Sequence, residues 1–343
     1  MKLSTYVLTV ASFLLITGSA LCMKPKQKDE RMTLETTDAE KEKAEKFIED
    51  HRKNKTFKNK IAYYGDDAKS FFYALKKDGS IEGGFEGKIL FGAMHIKQLI
   101  VGEKYRETHK VKGLGAYVMK KALEYGKKKK LRHAFLETFS FQASGFYKKL
   151  GFEEEFIRKG FSGKKGAIAF HYLVNKGCKF MYDLSEKMKQ IEEKKFSIVD
   201  VADADEQKEL DKYMKEEFGK HSNSPKIAQG HPIKDKLIFA FGITLENENK
   251  EVIGAAKGKI FYGGLKLEEL IVNADDAKEQ EALQKALLDK VITFAQNQAV
   301  GLIFFDTFNK DAKEFYEKHG FEVSHTRDGY AKGKKHYYLT KYF

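Results

Sequence analysis

The sequence predicts an α/β protein of the mixed α+β kind, with two tandem domains that are each a mixed, largely antiparallel sheet flanked by helices. Three observations predict it. A chain of 343 residues with 42% hydrophobic content is long enough to fill two cores of ordinary size. An internal repeat divides it into two copies. Within the first copy a run of short strands is followed by alternating helix and strand, the order of a mixed sheet with helices packed on it.

The repeat is the strongest of the three, because self-similarity has to be read before any fold is assigned. GKILFGAMHIKQLIV (87–101) aligns without a gap with GKIFYGGLKLEELIV (258–272), and LETFSFQASGFYKKLGFE (136–153) with FDTFNKDAKEFYEKHGFE (305–322). AIAFHYLVNK (167–176) closes the first copy as KGKKHYYLTK (332–341) closes the chain. A period of about 150 residues is too long for a solenoid and fits domain duplication. The expected division is a signal peptide over 1–22, a first domain over 35–176, a linker over 177–199 and a second domain over 200–343.

The elements follow in order. Lys2 supplies a positive start, and Tyr6 to Thr17 form an apolar run that ends in Gly18-Ser19-Ala20, the pattern of a cleavable secretory signal. The run is shorter than the ~20 residues of a membrane span, so no stable span is expected after cleavage and the protein is expected to be exported. An uncleaved anchor is the alternative. A lipoprotein reading of Cys22 is weakened by Leu21, where a small residue is wanted. DAEKEKAEKFIEDHRKNK then places Ala44, Phe47 and Ile48 on one helical stripe, and DADEQKELDKYMKEEF is its expected counterpart at the start of the second copy. Strands are expected at KIAYY, SFFYALKK, EGGFEGKILFG and MHIKQLIV, with a turn at Asp78-Gly79. A glycine-bearing loop, a helix over Gly115 to Lys128, strand HAFLETF, helix ASGFYKKLGF and two further strands complete the copy.

Lysine and arginine together number 63 against 50 acids, for a net charge of +13, yet only six are arginine. The lysines are spread along the whole length. Nucleic-acid recognition would concentrate arginine and aromatics on one face, so no nucleic-acid partner is expected. The charge still favours anionic ligands through long-range fields. Cys22 and Cys178 alone provide neither a disulfide framework nor zinc spacing, and no metal is expected. A single bridge between them and an unpaired structural Cys178 both remain open.

Lys110-Val111-Lys112-Gly113-Leu114-Gly115 follows a strand and opens a helix. Glycines let backbone N–H groups approach an anion, and a helix N-terminus adds unpaired donors and a positive dipole end. A pyrophosphate suits such a loop. Further on, Phe146-Tyr147-Lys148-Lys149-Leu150-Gly151-Phe152 ends a helix.

With both motifs in place, each copy resembles the GNAT superfamily of acyl-CoA-dependent N-acyltransferases, whose loop reads Gln/Arg-x-x-Gly-x-Gly/Ala and whose later helix carries Leu/Phe-Tyr-x-x-x-Gly-Phe. ETFSFQASGFYKKLGF is similar to a group of small bacterial members, mostly of unassigned substrate. Lys110 departs from the usual Gln or Arg, and Glu107 to Lys110 lengthen the approach to the loop. The resemblance implies direct transfer of an acetyl group from acetyl-CoA, as cosubstrate, to an amine acceptor, either a small molecule or a protein lysine or N-terminus. It implies that Tyr147 protonates the leaving thiolate, and that the backbone of Leu99, Ile100 and Val101 bonds the pantetheine arm. Lys110, Val111, Lys112, Gly113, Leu114 and Gly115 would hold the pyrophosphate. Ser140 stands where many members carry an Asn that bonds the coenzyme. Glu137 and His95, on the strands before the two motifs, are the candidate general bases, and ordered water is the alternative.

The second copy keeps Asn309 to Ala312 and Phe315-Tyr316 through Gly320-Phe321, but its loop reads NADDAKEQEALQKALLDK. Asp275, Asp276, Glu279 and Glu281 there would repel a pyrophosphate. This half is expected to support the first, as an intrachain pseudo-dimer within a monomer. Two function classes follow: an N-acetyltransferase working through the first copy, or a non-catalytic binding or scaffold protein built from two GNAT-like domains.

Overall fold

The computed structural model describes residues 38–51, 68–106, 111–161, 168–220, 238–274 and 276–343. The signal segment 1–22 with Cys22, strand KIAYY, Lys110 and Asp275 lie outside the described residues. No described helix is long and apolar enough to cross a membrane. Helix α1 (Asp38–His51) precedes two sheets.

The first sheet comprises β1 (Lys69–Lys77), β2 (Ser80–Leu90), β3 (Ala93–Val101), β4 (His133–Phe139), β5 (Glu153–Phe161), β6 (Ile168–Lys176) and β7 (Phe196–Asp200). Between them lie α2 (Glu103–Arg106), α3 (Leu114–Lys128), α4 (Ser144–Lys149) and α5 (Ser185–Glu193). The strands are ordered β5-β6-β4-β3-β2-β1-β7. After α6 (Ala204–Lys220) the second sheet comprises β8 (Ile238–Glu246), β9 (Val252–Phe261), β10 (Gly264–Val272), β11 (Leu302–Thr307), β12 (Glu322–Arg327) and β13 (His336–Tyr342). It carries α7 (Ala277–Asn297), α8 (Lys310–Lys318) and a 3-10 turn at Ala331–Gly333, in the order β12-β13-β11-β10-β9-β8.

Every pairing is antiparallel except β3–β4 and β10–β11, the places where a helix crosses over. On each sheet the crossover helix covers one face: Leu114, Val118, Met119, Ala122 and Leu123 pack on Met94, Ile96 and Leu136, as Leu287, Leu288 and Val291 pack on Leu265, Leu267 and Ile303. Two mixed, largely antiparallel sheets with flanking helices are therefore what the chain forms.

The other faces depart from the expected division. Helix α1, read with the first copy, packs Ala44, Phe47 and Ile48 on Ala255 and Ile271 of the second sheet. Gly242 lets it approach, since a Cβ there would lie 2.8 Å from the Lys41 backbone. Helix α6, read as the second copy's first helix, packs Leu210 and Met214 on Ala74 and Ile100 of the first sheet. The segment read as a linker is ordered into α5 and β7. Strand β7 pairs antiparallel with β1 and becomes the edge strand on that side of the first sheet. The physical reason is plain: an amphipathic stripe specifies that a face is buried, not which of two similar sheets buries it.

The last strand also shifts. Matching His171 to His336 sets Tyr172 against Tyr337, but Glu137 pairs with Tyr172 while its counterpart Asp306 pairs with Tyr338. The true correspondence is one residue over, and Phe170 faces the role of His336. A one-residue slip exchanges the faces of a strand, so ladder register overrides the identity match.

The β5–β6–β4 part of the first sheet meets the β12–β13–β11 part of the second across a pseudo-twofold axis. Arg158 of β5 lies 4.5 Å over Phe304 of β11, and its counterpart Arg327 of β12 lies 4.3 Å over Phe135 of β4. Tyr172 meets Tyr338 at 5.1 Å, and Phe156 stacks on its own counterpart His325 at 4.7 Å. Reciprocal contacts of this kind are what an isologous dimer makes, here within one chain.

Candidate active site

Strand β3 separates from β4 after only Met94↔Ala134 and His95↔Phe135, so its edge from Ile96 to Val101 bears no β4 partner. The opposite edge is fully paired with β2 through Leu99, Ile100 and Val101. A bulge at Lys97, unpaired between Ile96 and Gln98, marks the point where the strands part. The second sheet repeats this with a bulge at Glu268. Ile100 and Val101 are buried in the sheet's cores, so what this strand offers a ligand is main chain.

The loop after β3 delivers Gly113 in a left-handed conformation (φ 84°) as the N-cap of α3, with no side-chain cap. Tyr117 N–H donates to Gly113 O at 2.9 Å, and the first-turn N–H groups ahead of it have no such internal acceptor. Val111 and Leu114 anchor the loop in the core, Lys112 is exposed, and a Cβ on Gly115 would make only ordinary contact with Phe146, at 3.5 Å. An uncapped helix N-terminus of this kind presents unpaired N–H donors and the positive end of the helix dipole.

The second copy fills the same position with its own carboxylate. Asp276 caps α7, accepting from Lys278 N–H and Glu279 N–H at 2.8 Å each. Asp276 thus takes the N–H donors that the corresponding end of α3 leaves without a side-chain cap.

Tyr147, on α4, is half-buried, stacked edge-on against Phe146 and Phe152. Burial pushes its phenol up to about 12, so it stays protonated at neutral pH. Its hydroxyl has no hydrogen-bond partner among the described residues.

Glu137 and His95 come together, although 42 residues separate them: His95 Nε2 lies 2.8 Å from Glu137 Oε2. Burial would raise this carboxyl, but the charge and hydrogen bond of His95 outweigh it and bring Glu137 down to about 2. The imidazole is stacked on Phe135 at 4.6 Å. Phe135 faces away from α3, so the pair sits on the opposite side of the sheet from Tyr147, with the parting strands between them.

Ser140 is not turned to that cleft. Its N–H donates to Ala169 O and its hydroxyl accepts from Ala169 N–H, so it extends the β4–β6 ladder. Its counterpart Asn309 instead caps α8, accepting from Asp311 N–H and Ala312 N–H. Cys178 is a buried free thiol, pushed up to about 11 by burial. Among the described residues no group of His, Cys, Asp and Glu is disposed to hold a metal.

Two features were not legible in the sequence. A Cβ on Gly113 would lie 2.7 Å from the Lys187 side chain and 3.1 Å from Leu184, so the start of α5 lies over the loop. Lys187 also donates to Tyr182 OH. The linker composition gave no signal for this cover. The bulge at Lys97 is likewise invisible in an alternating strand pattern.

The model for the Acetyltransferase (GNAT) family matches residues 32–152. Among solved structures, a candidate acetyltransferase from Agrobacterium tumefaciens is 24% identical, over 42% of this chain and 96% of its own, with a TM-score of 0.34. An acetyltransferase from Bacillus cereus is 25% identical, over 41% and 93%, with a TM-score of 0.28. A GNAT family acetyltransferase from Elizabethkingia anophelis with acetyl-CoA bound is 22% identical, over 32% and 76%, with a TM-score of 0.27. Comparison with curated proteins finds no match. Residues 32–152, which carry the parted strands, the uncapped helix and the Phe-Tyr helix, are thus similar to the GNAT acetyltransferase family.

Proposed function

We propose that the first copy is an N-acetyltransferase that moves an acetyl group from acetyl-CoA to a primary amine by direct attack. The observation that carries the reading is the contrast between the two helix N-termini: α3 is uncapped behind Gly113, and α7 is closed by Asp276. Backbone N–H groups at Gly113, Leu114 and Gly115, with Lys112 beside them, would hold the pyrophosphate, and the free edge of Leu99 to Val101 the pantetheine arm. The coenzyme supplies a thioester carbonyl for the amine to attack. Glu137, ionised, fixes the His95 ring by accepting from Nε2–H, and in the neutral imidazole Nδ1 then keeps the lone pair that takes a proton from the incoming amine. Tyr147, protonated, gives its proton to the departing sulfur on the other side of the sheet. The second copy supports the first through the pseudo-twofold contact.

Titration calorimetry with acetyl-CoA tests this. Binding near one equivalent, abolished by Gly115→Asp, is the expected result. Gly115 is the better site than Gly113, where an added side chain would also meet Lys187 and a strained φ. The scaffold reading is favoured by one observation, the cover of Gly113 by Leu184 and Lys187. Failure of folded wild-type protein to bind would make that reading the better one.

A further inference from the structure

The pseudo-twofold axis makes two versions of one interface corner, and they are not finished alike. Around Arg158 the corner is closed: Nε donates to Thr340 Oγ1 at 2.9 Å, Nη1 to Tyr172 OH and Nη2 to Leu339 O at 3.5 Å. Apolar side chains complete it, with Leu302 buried and Phe156 stacked on Tyr172 at 4.0 Å.

Around Arg327 polar residues stand at the matching places. By strand register His133 replaces Leu302, His325 replaces Phe156 and Glu155 replaces Ser324. Arg327 Nε donates to Glu155 Oε2 at 2.6 Å and Nη1 to Tyr330 OH at 3.3 Å, but Nη2 is buried without a partner. His133 Nε2 and His325 Nε2 are also buried without a hydrogen bond, the latter 3.6 Å from Glu155 Oε2. Three of the six such side-chain atoms among the described residues thus belong to this one corner. All three residues line a single groove of about 650 Å³, with Arg132 and Lys176 at its rim.

Leaving buried donors unmade is costly, and apolar groups of the same shape would avoid the cost, as the other corner does. Arg132 and Arg327 face only Glu155 and Asp328 in this groove, and Asp328 and Lys176 are engaged by Lys335 and Glu153. We propose that the groove between the two copies is a binding site for a small oxyanion, a carboxylate or phosphate group, taken by Arg327 and His133 with Arg132 at the rim. It is separate from the α3 loop and stands whether or not the first copy binds coenzyme.

The test is thermal unfolding of the full chain in sodium phosphate and in sodium acetate, each against sodium chloride at equal ionic strength. A saturable rise in Tm of a few degrees is expected at an anion concentration of about 100 times its Kd. The larger response tells phosphate from carboxylate. Gly115→Asp, which blocks the α3 loop, should keep the rise, and His133→Leu/His325→Phe added to that variant rebuilds the apolar corner, so it should fold and lose the rise. Should that combined variant not fold, Arg132→Ala at the exposed rim should weaken the response several-fold. No saturable response in the wild type, a response lost in Gly115→Asp, or one kept in the combined variant overturns the proposal.

Discussion

Tyr147 and Tyr316 occupy the same place in the two copies, and their surroundings treat them differently. Tyr147 is half-exposed, whereas Tyr316 is wholly buried with an unpartnered hydroxyl. Tyr147→Phe should therefore lower kcat by roughly 10²-fold or more, with coenzyme affinity unchanged in calorimetry. Tyr316→Phe should leave activity alone and raise the urea midpoint, since an orphaned buried hydroxyl costs about 1–3 kcal/mol. His133 gives a pH signature. Burial, then the charge of Arg327, brings its imidazole from 6.5 down to about 4. Between those values the unfolded chain binds the extra proton, so stability falls as pH drops through the window. Urea unfolding from pH 7 to 4 should show a shallower fall in His133→Leu than in the wild type. Both tyrosines could be read from Phe-Tyr in the sequence. The His95–Glu137 pair could be read only as two separate candidates, because its contact depends on where two strands begin to part.

The helices α1 and α6 are each carried by one copy and buried on the other's sheet. Ile48→Ala should cost about 2–5 kcal/mol, the usual range for an emptied core position. Its location is the sharper expectation: hydrogen exchange should quicken in β8, β9 and β10 and stay unchanged in β1 and β2. A helix docked on its own copy would give the reverse. The strands were legible because alternation and the repeat mark them independently of partners. Helix stripes carry no address, and α5 and β7 sit in the stretch between the two repeat copies, which reads as a connection.

As a whole the chain joins two sheets by reciprocal aromatic and arginine contacts and by the exchange of α1 and α6. Calorimetry should therefore find one unfolding transition, with calorimetric and van't Hoff enthalpies equal. Two separated transitions would mean that the halves stand alone. The intrachain dimer was legible in outline from the repeat, but its axis was not, because the residues on it, Phe156 and His325, align without looking alike.

That axis has a consequence for what the molecule is able to become. In a dimer of identical chains every substitution is made twice, so an arginine pocket on one side appears on the other and any gain is tied to a duplicate cost. Joined in one chain, the two sides answer to separate codons. Leucine at 302 can seal one corner while histidine at 133 keeps the other polar, and Asp276 can shut one helix end while Gly113 leaves its twin open. Covalent linkage thus gives this interface a left and a right.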